Sequence, residues 1–258
     1  MSASVQAPGT PMSVVEMVDL EPGIVRVTMQ DRVHKNTFTD ALIAGLSEAF
    51  AQIAERGDCK VVILTGYDSY FSSGGTQEGL RELYEGRIQF TDKDLYSLAL
   101  NCPIPVVAAM QGHGIGGGFV LGLFADLVVL ARESVYTANF MKYGFTPGMG
   151  STLILPHKLG PALATEMMLG AGTYRGEDLK LRGVPFTVLP REQVQAHALE
   201  LARSLAEKPR VSLVALKDEL VSELRAQLPV CIEREVALHA QTFHQPEVRQ
   251  RIESLFGR

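Results

Sequence analysis

The chain has 258 residues, 46% of them hydrophobic and 21% charged, with a formal net charge of −5. That balance suits one large buried core and excludes global disorder, and the dispersed lysines and arginines argue against nucleic acid as a partner. No apolar run reaches ~18 residues, so no stretch reads as a membrane-spanning helix.

The first twelve residues, MSASVQAPGTPM, are small, polar and rich in turn formers. They read as a flexible leader over 1–12, without the basic-then-apolar layout of a secretory signal. Residues 24–29 alternate and predict a strand, followed by a polar turn over 31–36. Leu42, Ile43, Leu46, Phe50 and Ile53 recur at helical spacing, which predicts a helix over 40–55 with Thr39 or Asp40 as its cap. Residues 60–65 (KVVILT) form a continuous apolar run of the kind buried on both faces of a parallel sheet. Residues 104–111 and 126–131 repeat that pattern, with a glycine-rich turn and a short apolar helix, 117–124, between them. Strands alternating with helices imply βαβ units and a largely parallel sheet. Beyond Pro156 the pattern becomes helical, over 161–169, 176–182, 191–207, 211–224 and 230–243, with an extended piece at 184–189. The three cysteines, Cys59, Cys102 and Cys231, are odd in number and far apart. They suggest neither a disulfide framework nor a metal site, and they suit a reducing cytoplasm.

Two glycine-containing turns follow buried strands: Phe71-Ser72-Ser73-Gly74-Gly75-Thr76, and Gly112-His113-Gly114-Ile115-Gly116-Gly117-Gly118. Glycine at the carboxyl end of a strand lets bare backbone approach a ligand, and unpaired N–H groups at a helix start favour negative charge. Gly112, Gly114 and Gly117 match a dinucleotide-binding spacing literally. The match lies in mid-chain, however, and Asp126 follows too soon to reach a ribose. A phosphate-binding loop is excluded, because no Lys-Ser/Thr pair follows a glycine run.

The two turns, followed by Asp126, by residues 143–151 (YGFTPGMGS) and by Tyr174-Arg175-Gly176, resemble the motifs of the crotonase (enoyl-CoA hydratase/isomerase) superfamily over roughly residues 13–258. The resemblance implies an α/β fold, the crotonase fold of repeated ββα units. The core domain would occupy 13–195, and a helical region over 196–258 would cover the site and build a trimer or a dimer of trimers. It places oxyanion donors on the backbone N–H groups of Gly75 and Gly117, the alternative being that these glycines only make tight turns. Hydratases of the family carry two glutamates that handle water, and the matching positions here hold Val120 and Phe140. Neither accepts a proton, so general-base activation of water there is excluded, and double-bond isomerisation is weakened with it. An oxyanion hole without an acid–base pair fits an anion formed without prior proton abstraction, as in decarboxylation.

Residues 108–119, 139–152 and 173–191 are similar to a narrower, polyketide-biosynthesis subgroup that decarboxylates 3-methylglutaconyl to 3-methylcrotonyl thioesters on acyl carrier protein. That likeness implies a catalytic role for His239 and a substrate carried on the phosphopantetheine of acyl carrier protein, or on CoA. It implies no metal, no nucleotide cofactor and a cytoplasmic location. Relatives carry Lys and Tyr where an ungapped match puts Leu83 and Gly79, leaving Arg87, with Arg81 behind it, to attract the substrate carboxylate. His34 and Lys35 fall where the family contacts the thioester carrier. His113 is expected to pack under the second oxyanion turn and to line the pocket with Val120 and Phe140. His244, five residues beyond His239, should face another side of the helix at ~100° per residue and be structural. The alternatives are a hydratase or isomerase with displaced catalytic groups, and a non-catalytic scaffold.

Overall fold

The apolar runs of the sequence become the strands of a six-stranded sheet in the computed structural model, which describes residues 13–92 and 94–256. The leader expected over 1–12 lies outside the described residues. In chain order the elements are β1 (Val15–Glu21), β2 (Ile24–Met29), α1 (Asp40–Glu55), β3 (Val61–Thr65), β4 (Tyr70–Ser72), α2 (Gln77–Tyr84), α3 (Leu98–Asn101), β5 (Val106–Met110), β6 (His113–Ile115) and α4 (Gly117–Leu123). There follow β7 (Leu127–Ala131), β8 (Val135–Thr137), a 3-10 turn (Asn139–Lys142), α5 (Ser151–Leu159), α6 (Pro161–Gly170), β9 (Tyr174–Arg175), α7 (Gly176–Leu181), β10 (Thr187–Leu189), α8 (Arg191–Ala206), α9 (Arg210–Thr242) and α10 (Pro246–Leu255).

The large sheet has the order β1-β2-β3-β5-β7-β10, parallel throughout except for the antiparallel β1–β2 pair. A second sheet, β4-β6-β8-β9, is parallel across its first three strands and antiparallel at β9. The pairs β3–β4, β5–β6 and β7–β8 each send one strand to each sheet. The chain therefore climbs in ββα turns, and equivalent loops stack at one edge.

Burial on both faces explains the continuous apolar runs. Side chains alternate across a strand, so Val62 and Leu64 of β3 enter the main core while Val61 and Ile63 face α8. Val194, Ala198 and Ala202, one helical face of α8, complete that outer layer. Position 195, taken from the sequence as the end of the core domain, falls inside α8, whose packing on the sheet assigns the helix to the core. In α1, Thr39 caps the first turn by accepting from the Leu42 N–H at 3.2 Å, and Leu42, Leu46, Ala49, Phe50 and Ile53 form its buried stripe.

The helices expected over 211–224 and 230–243 are one 33-residue helix, α9, that runs through Pro229. An internal proline costs ~3 kcal/mol in a helix. Here Pro229 is exposed, while the flanking Leu224 and Leu228 are buried and hold the helix on the core through it. Lys217 pins the same helix to the core. Its buried ammonium donates to Ala99 O at 2.9 Å, Ile104 O at 3.0 Å and the Asp126 carboxylate at 2.8 Å. Asp126 also accepts from the Val106 N–H at 2.7 Å, so this motif residue serves architecture.

Candidate active site

The two glycine turns meet because β4 and β6 are paired, with Tyr70 opposite His113 and Ser72 opposite Gly114. Bare backbone is needed at that junction. A Cβ on Gly74, whose φ is +75°, would lie 2.5 Å from Ile115 O and 3.2 Å from Gly117 N, and one on Gly118 would collide with the Ser72 carbonyl. Gly117 opens α4, so its N–H has no intrahelical acceptor. Among the described residues neither the Gly75 nor the Gly117 N–H meets an acceptor. Two unpaired donors thus sit on loops in backbone contact.

Asn36 locks the first of these turns. It is fully buried with φ +52°, and its amide nitrogen donates to Met29 O and Phe71 O, both at 2.9 Å. Its side-chain oxygen accepts from the Asp31 N–H at 2.8 Å, and its own carbonyl accepts from the Ser72 hydroxyl at 2.7 Å. Phe38 then donates its N–H to Gly74 O at 2.8 Å and brings its ring over the second turn. A Cβ on Gly117 would lie 2.7 Å from Phe38 Cε2 and 2.8 Å from Met149 Sδ, so these two side chains wall the donor pair.

His239 reaches this neighbourhood from α9. Its Nε2 is 2.7 Å from Thr146 O; a carbonyl only accepts, so Nε2 carries the proton and Nδ1 is the bare nitrogen of the neutral ring. Phe90, Phe243 and Phe145 surround the ring at centroid distances of 4.8, 5.2 and 6.1 Å. Burial lowers its proton affinity below the ordinary value, while the carbonyls of Thr146 and Pro147 pull the other way. A Cβ on Gly148 would stand 3.0 Å from His239 Cε1. One short segment therefore touches both halves of the site, through Gly148 to the histidine and through Met149 to Gly117.

Val120 and Phe140 are buried in the main core, as expected of apolar positions, and offer no proton acceptor. The structure gives three of the named residues partners that the sequence did not show. Arg87, expected to attract the substrate carboxylate, has a side chain that is 60% exposed and pairs with Glu85 at 2.6 Å. His113 accepts the Val135 N–H on Nδ1 at 2.9 Å and fastens β6 to β8. Burial first, and Arg191 second, hold that ring's proton affinity low, as an accepting nitrogen requires. His244 lies beyond the end of α9, so helical phase does not govern it; its Nδ1 donates to Tyr84 O at 2.6 Å.

His34 and Lys35 lie in the exposed turn that leads into Asn36. His34 Nδ1 is 2.9 Å from the Asp31 carboxylate, and Lys35, with φ +54°, holds its ammonium 5.7 Å from the Tyr70 ring centre. Phe38, Phe90, Met149 and Glu235 were not foreseen. Each reaches the site through a contact distant in sequence, although a glutamate on the helix of His239 was a visible signal.

A model of the enoyl-CoA hydratase/isomerase family matches residues 19–256. The bacillaene synthase decarboxylase PksI of Bacillus subtilis (strain 168) is 63% identical over 245 residues, covering 95% of this chain and 98% of that protein. A solved structure from a dehydratase/decarboxylase enzyme couple involved in polyketide β-branching shares 63% identity at a TM-score of 0.95, covering 95% of this chain and all of the other. The ECH2 decarboxylase domain of CurF from Lyngbya majuscula shares 46% identity at a TM-score of 0.91, with 95% of this chain covered and all of that domain.

Proposed function

The chain belongs to the enoyl-CoA hydratase/isomerase family, and we propose that it is a decarboxylase of polyketide β-branching, converting 3-methylglutaconyl to 3-methylcrotonyl thioester on an acyl carrier protein. The observation that carries the reading is a pair of unpaired N–H donors, Gly75 and Gly117, on adjoining loops of a chain whose buried Val120 and Phe140 stand at the positions of water-handling glutamates. The likeness to decarboxylases across 95% of the chain supports the same chemistry.

The steps follow from that arrangement. The bond between the carboxylate carbon and the γ carbon breaks, CO2 leaves, and its electron pair passes through the C=C bond onto the thioester oxygen. The resulting dienolate oxygen lies between the N–H groups of Gly75 and Gly117. Donors aimed at charge that develops only in the transition state lower the barrier, each by ~2.7–4 kcal/mol. The dienolate then collapses, and the γ carbon takes a proton. His239 supplies it from Nδ1, since its Nε2–H is held by Thr146 O. The apolar rings around the imidazole make its protonated form a stronger acid. Arg87 pairs with Glu85 on the surface, and these steps do not draw on it.

No step requires a metal or a nucleotide cofactor. The substrate arrives on a phosphopantetheine arm, with His34 and Lys35, exposed beside the first glycine turn, as contacts for its phosphate. Exposed apolar residues on α9, Leu216 and Leu220 among them, suit a trimer built through the C-terminal helices. Among the described residues no helix is long and apolar enough to cross a membrane, and three free cysteines suit a reducing cytoplasm.

The test is to mix purified protein with 3-methylglutaconyl carrier protein and follow the acyl group by mass spectrometry. Loss of the mass of CO2 is expected. Gain of the mass of water would instead establish a hydratase, and an unchanged acyl mass would leave an isomerase or a scaffold; either overturns the reading.

A further inference from the structure

Glu235 lies one helical turn before His239 on α9 and is fully buried. Among the described residues no lysine or arginine forms an ion pair with it. A carboxylate withdrawn from water is costly unless its lone pairs are filled. Cys231, one turn earlier on α9, donates its thiol to Oε1 at 3.7 Å, and the three remaining hydrogen bonds come from the start of α5. Gly150 N–H donates to Oε2 at 2.7 Å, and the Thr152 N–H and hydroxyl donate to Oε1 at 2.8 and 2.7 Å.

The segment gripped in this way has unusual backbone. Met149 has φ +63° and Gly150 has φ +71°, two consecutive left-handed residues. That conformation is unfavourable for a residue with a Cβ and persists where neighbours over-determine it. The strain has a visible consequence, since Met149 is the residue whose sulfur covers Gly117. At the other end of the segment, Thr146 O holds His239 Nε2 at 2.7 Å. Two side chains on one turn of α9 therefore clamp residues 146–152 at both ends. Between the clamps lie Gly148, against the imidazole, and Met149, against the oxyanion loop.

We infer that Glu235 is a positioning residue of the site: by filling its carboxylate with Gly150 and Thr152 donors it fixes Met149 over the Gly117 turn and keeps Thr146 O on His239. Its effect on rate rests on the decarboxylase reading; its effect on the histidine does not. A merely structural cap on α5 would lower stability and leave the imidazole unchanged.

Glu235→Gln tests this, because the carboxamide keeps the shape but turns an NH2 group toward N–H donors. Nitrogen NMR of His239, assigned by difference against His239→Ala, reads which ring nitrogen carries the proton. Steady-state CO2 release reads kcat and KM. In a folded variant the ring signals should leave the Nε2–H state, and kcat should fall ~10–100-fold with KM within ~3-fold, the scale of a small misplacement of a catalytic group. Unchanged ring signals overturn the inference whatever the rate, and so does a normal kcat. If Glu235→Gln does not fold, Thr152→Val removes the hydroxyl donor alone and should move both readouts the same way by a smaller amount; a folded Thr152→Val with wild-type signals and rate overturns the inference. A wild-type protein that releases no CO2 would defeat the decarboxylase reading, and the ring signals would still decide the role of Glu235.

Discussion

Replacing Gly117 separates the chemistry of the proposed oxyanion hole from the stability of the fold. Its φ lies outside the left-handed region, so an L-residue fits the backbone, and in a helix a residue with a Cβ is favoured over glycine by ~0.5–1 kcal/mol. The new Cβ would stand 2.7 Å from Phe38 Cε2 and 2.8 Å from Met149 Sδ. Carbon–carbon contacts settle near ~3.5–4.0 Å, so both walls must retreat by roughly 1 Å or the Gly117 N–H must turn away. Gly117→Ala should therefore lose ~10–100-fold in CO2 release, or ~1.4–2.7 kcal/mol of transition-state stabilisation. Gly117→Val, which adds two methyl groups at the same point, should lose at least ~100-fold, comparable to removing one oxyanion donor. The assay is the rate of acyl mass loss on carrier protein, with thermal unfolding run alongside. Gly170→Ala is the control, since nothing lies within 4 Å of a Cβ there, and it should leave the rate unchanged. A folded Gly117→Val protein with a near-normal rate would refute the assignment of the donor.

His239→Ala should fold and bind carrier protein but lose at least ~100-fold in CO2 release, while His244→Ala changes the rate less than ~3-fold; the reverse order, measured on the same substrate, would place the proton on the wrong histidine. Burial holds the proton affinity of His239 below its ordinary value of 6.5 in the free enzyme. The proton-bearing fraction is then full at low pH and lost as pH rises through that depressed value. The basic limb of kcat/KM should accordingly fall below ~6.5 and disappear in His239→Ala, and a limb well above ~7 would contradict the proton assignment. Lys217→Met should destabilise the chain by ~3–5 kcal/mol in urea titration, because it strips the part-buried Asp126 carboxylate and two carbonyls of their buried cation; a loss under ~1 kcal/mol would show that this pair does not anchor α9.

The local periodicities were legible without coordinates. Leu42 to Ile53 predicted α1, and the runs at 60–65, 104–111 and 126–131 predicted β3, β5 and β7, because each is long enough to show a period and each is buried by its immediate pattern. β4, β6, β8 and β9, of two or three residues, were not legible. Such short strands carry no period, and their pairing partners lie far along the chain, as Tyr70 with His113. The break expected between 224 and 230 is absent for a related reason. Proline breaks a helix locally, but α9 is held by Leu213, Lys217, Leu224, Leu228 and Glu235 against distant elements.

The site divides along the same line. Gly75, Gly117, Val120, Phe140 and His239 were named from motif and resemblance, since residue type alone says which groups carry a proton or leave an N–H bare. The partners of Arg87 and His113, Glu85 and the Val135 N–H, were not legible, because pairing depends on the fold. Phe38, Met149 and Glu235 came into view only with the fold. The sequence by itself determined the chemistry available: two glycine turns, an imidazole and no carboxylate where water would be activated. Tertiary structure alone decided their arrangement. The β4–β6 pairing brings the two turns into contact, and two residues one turn apart on α9 hold the 146–152 segment between them, contacts that join positions scattered over the length of the chain.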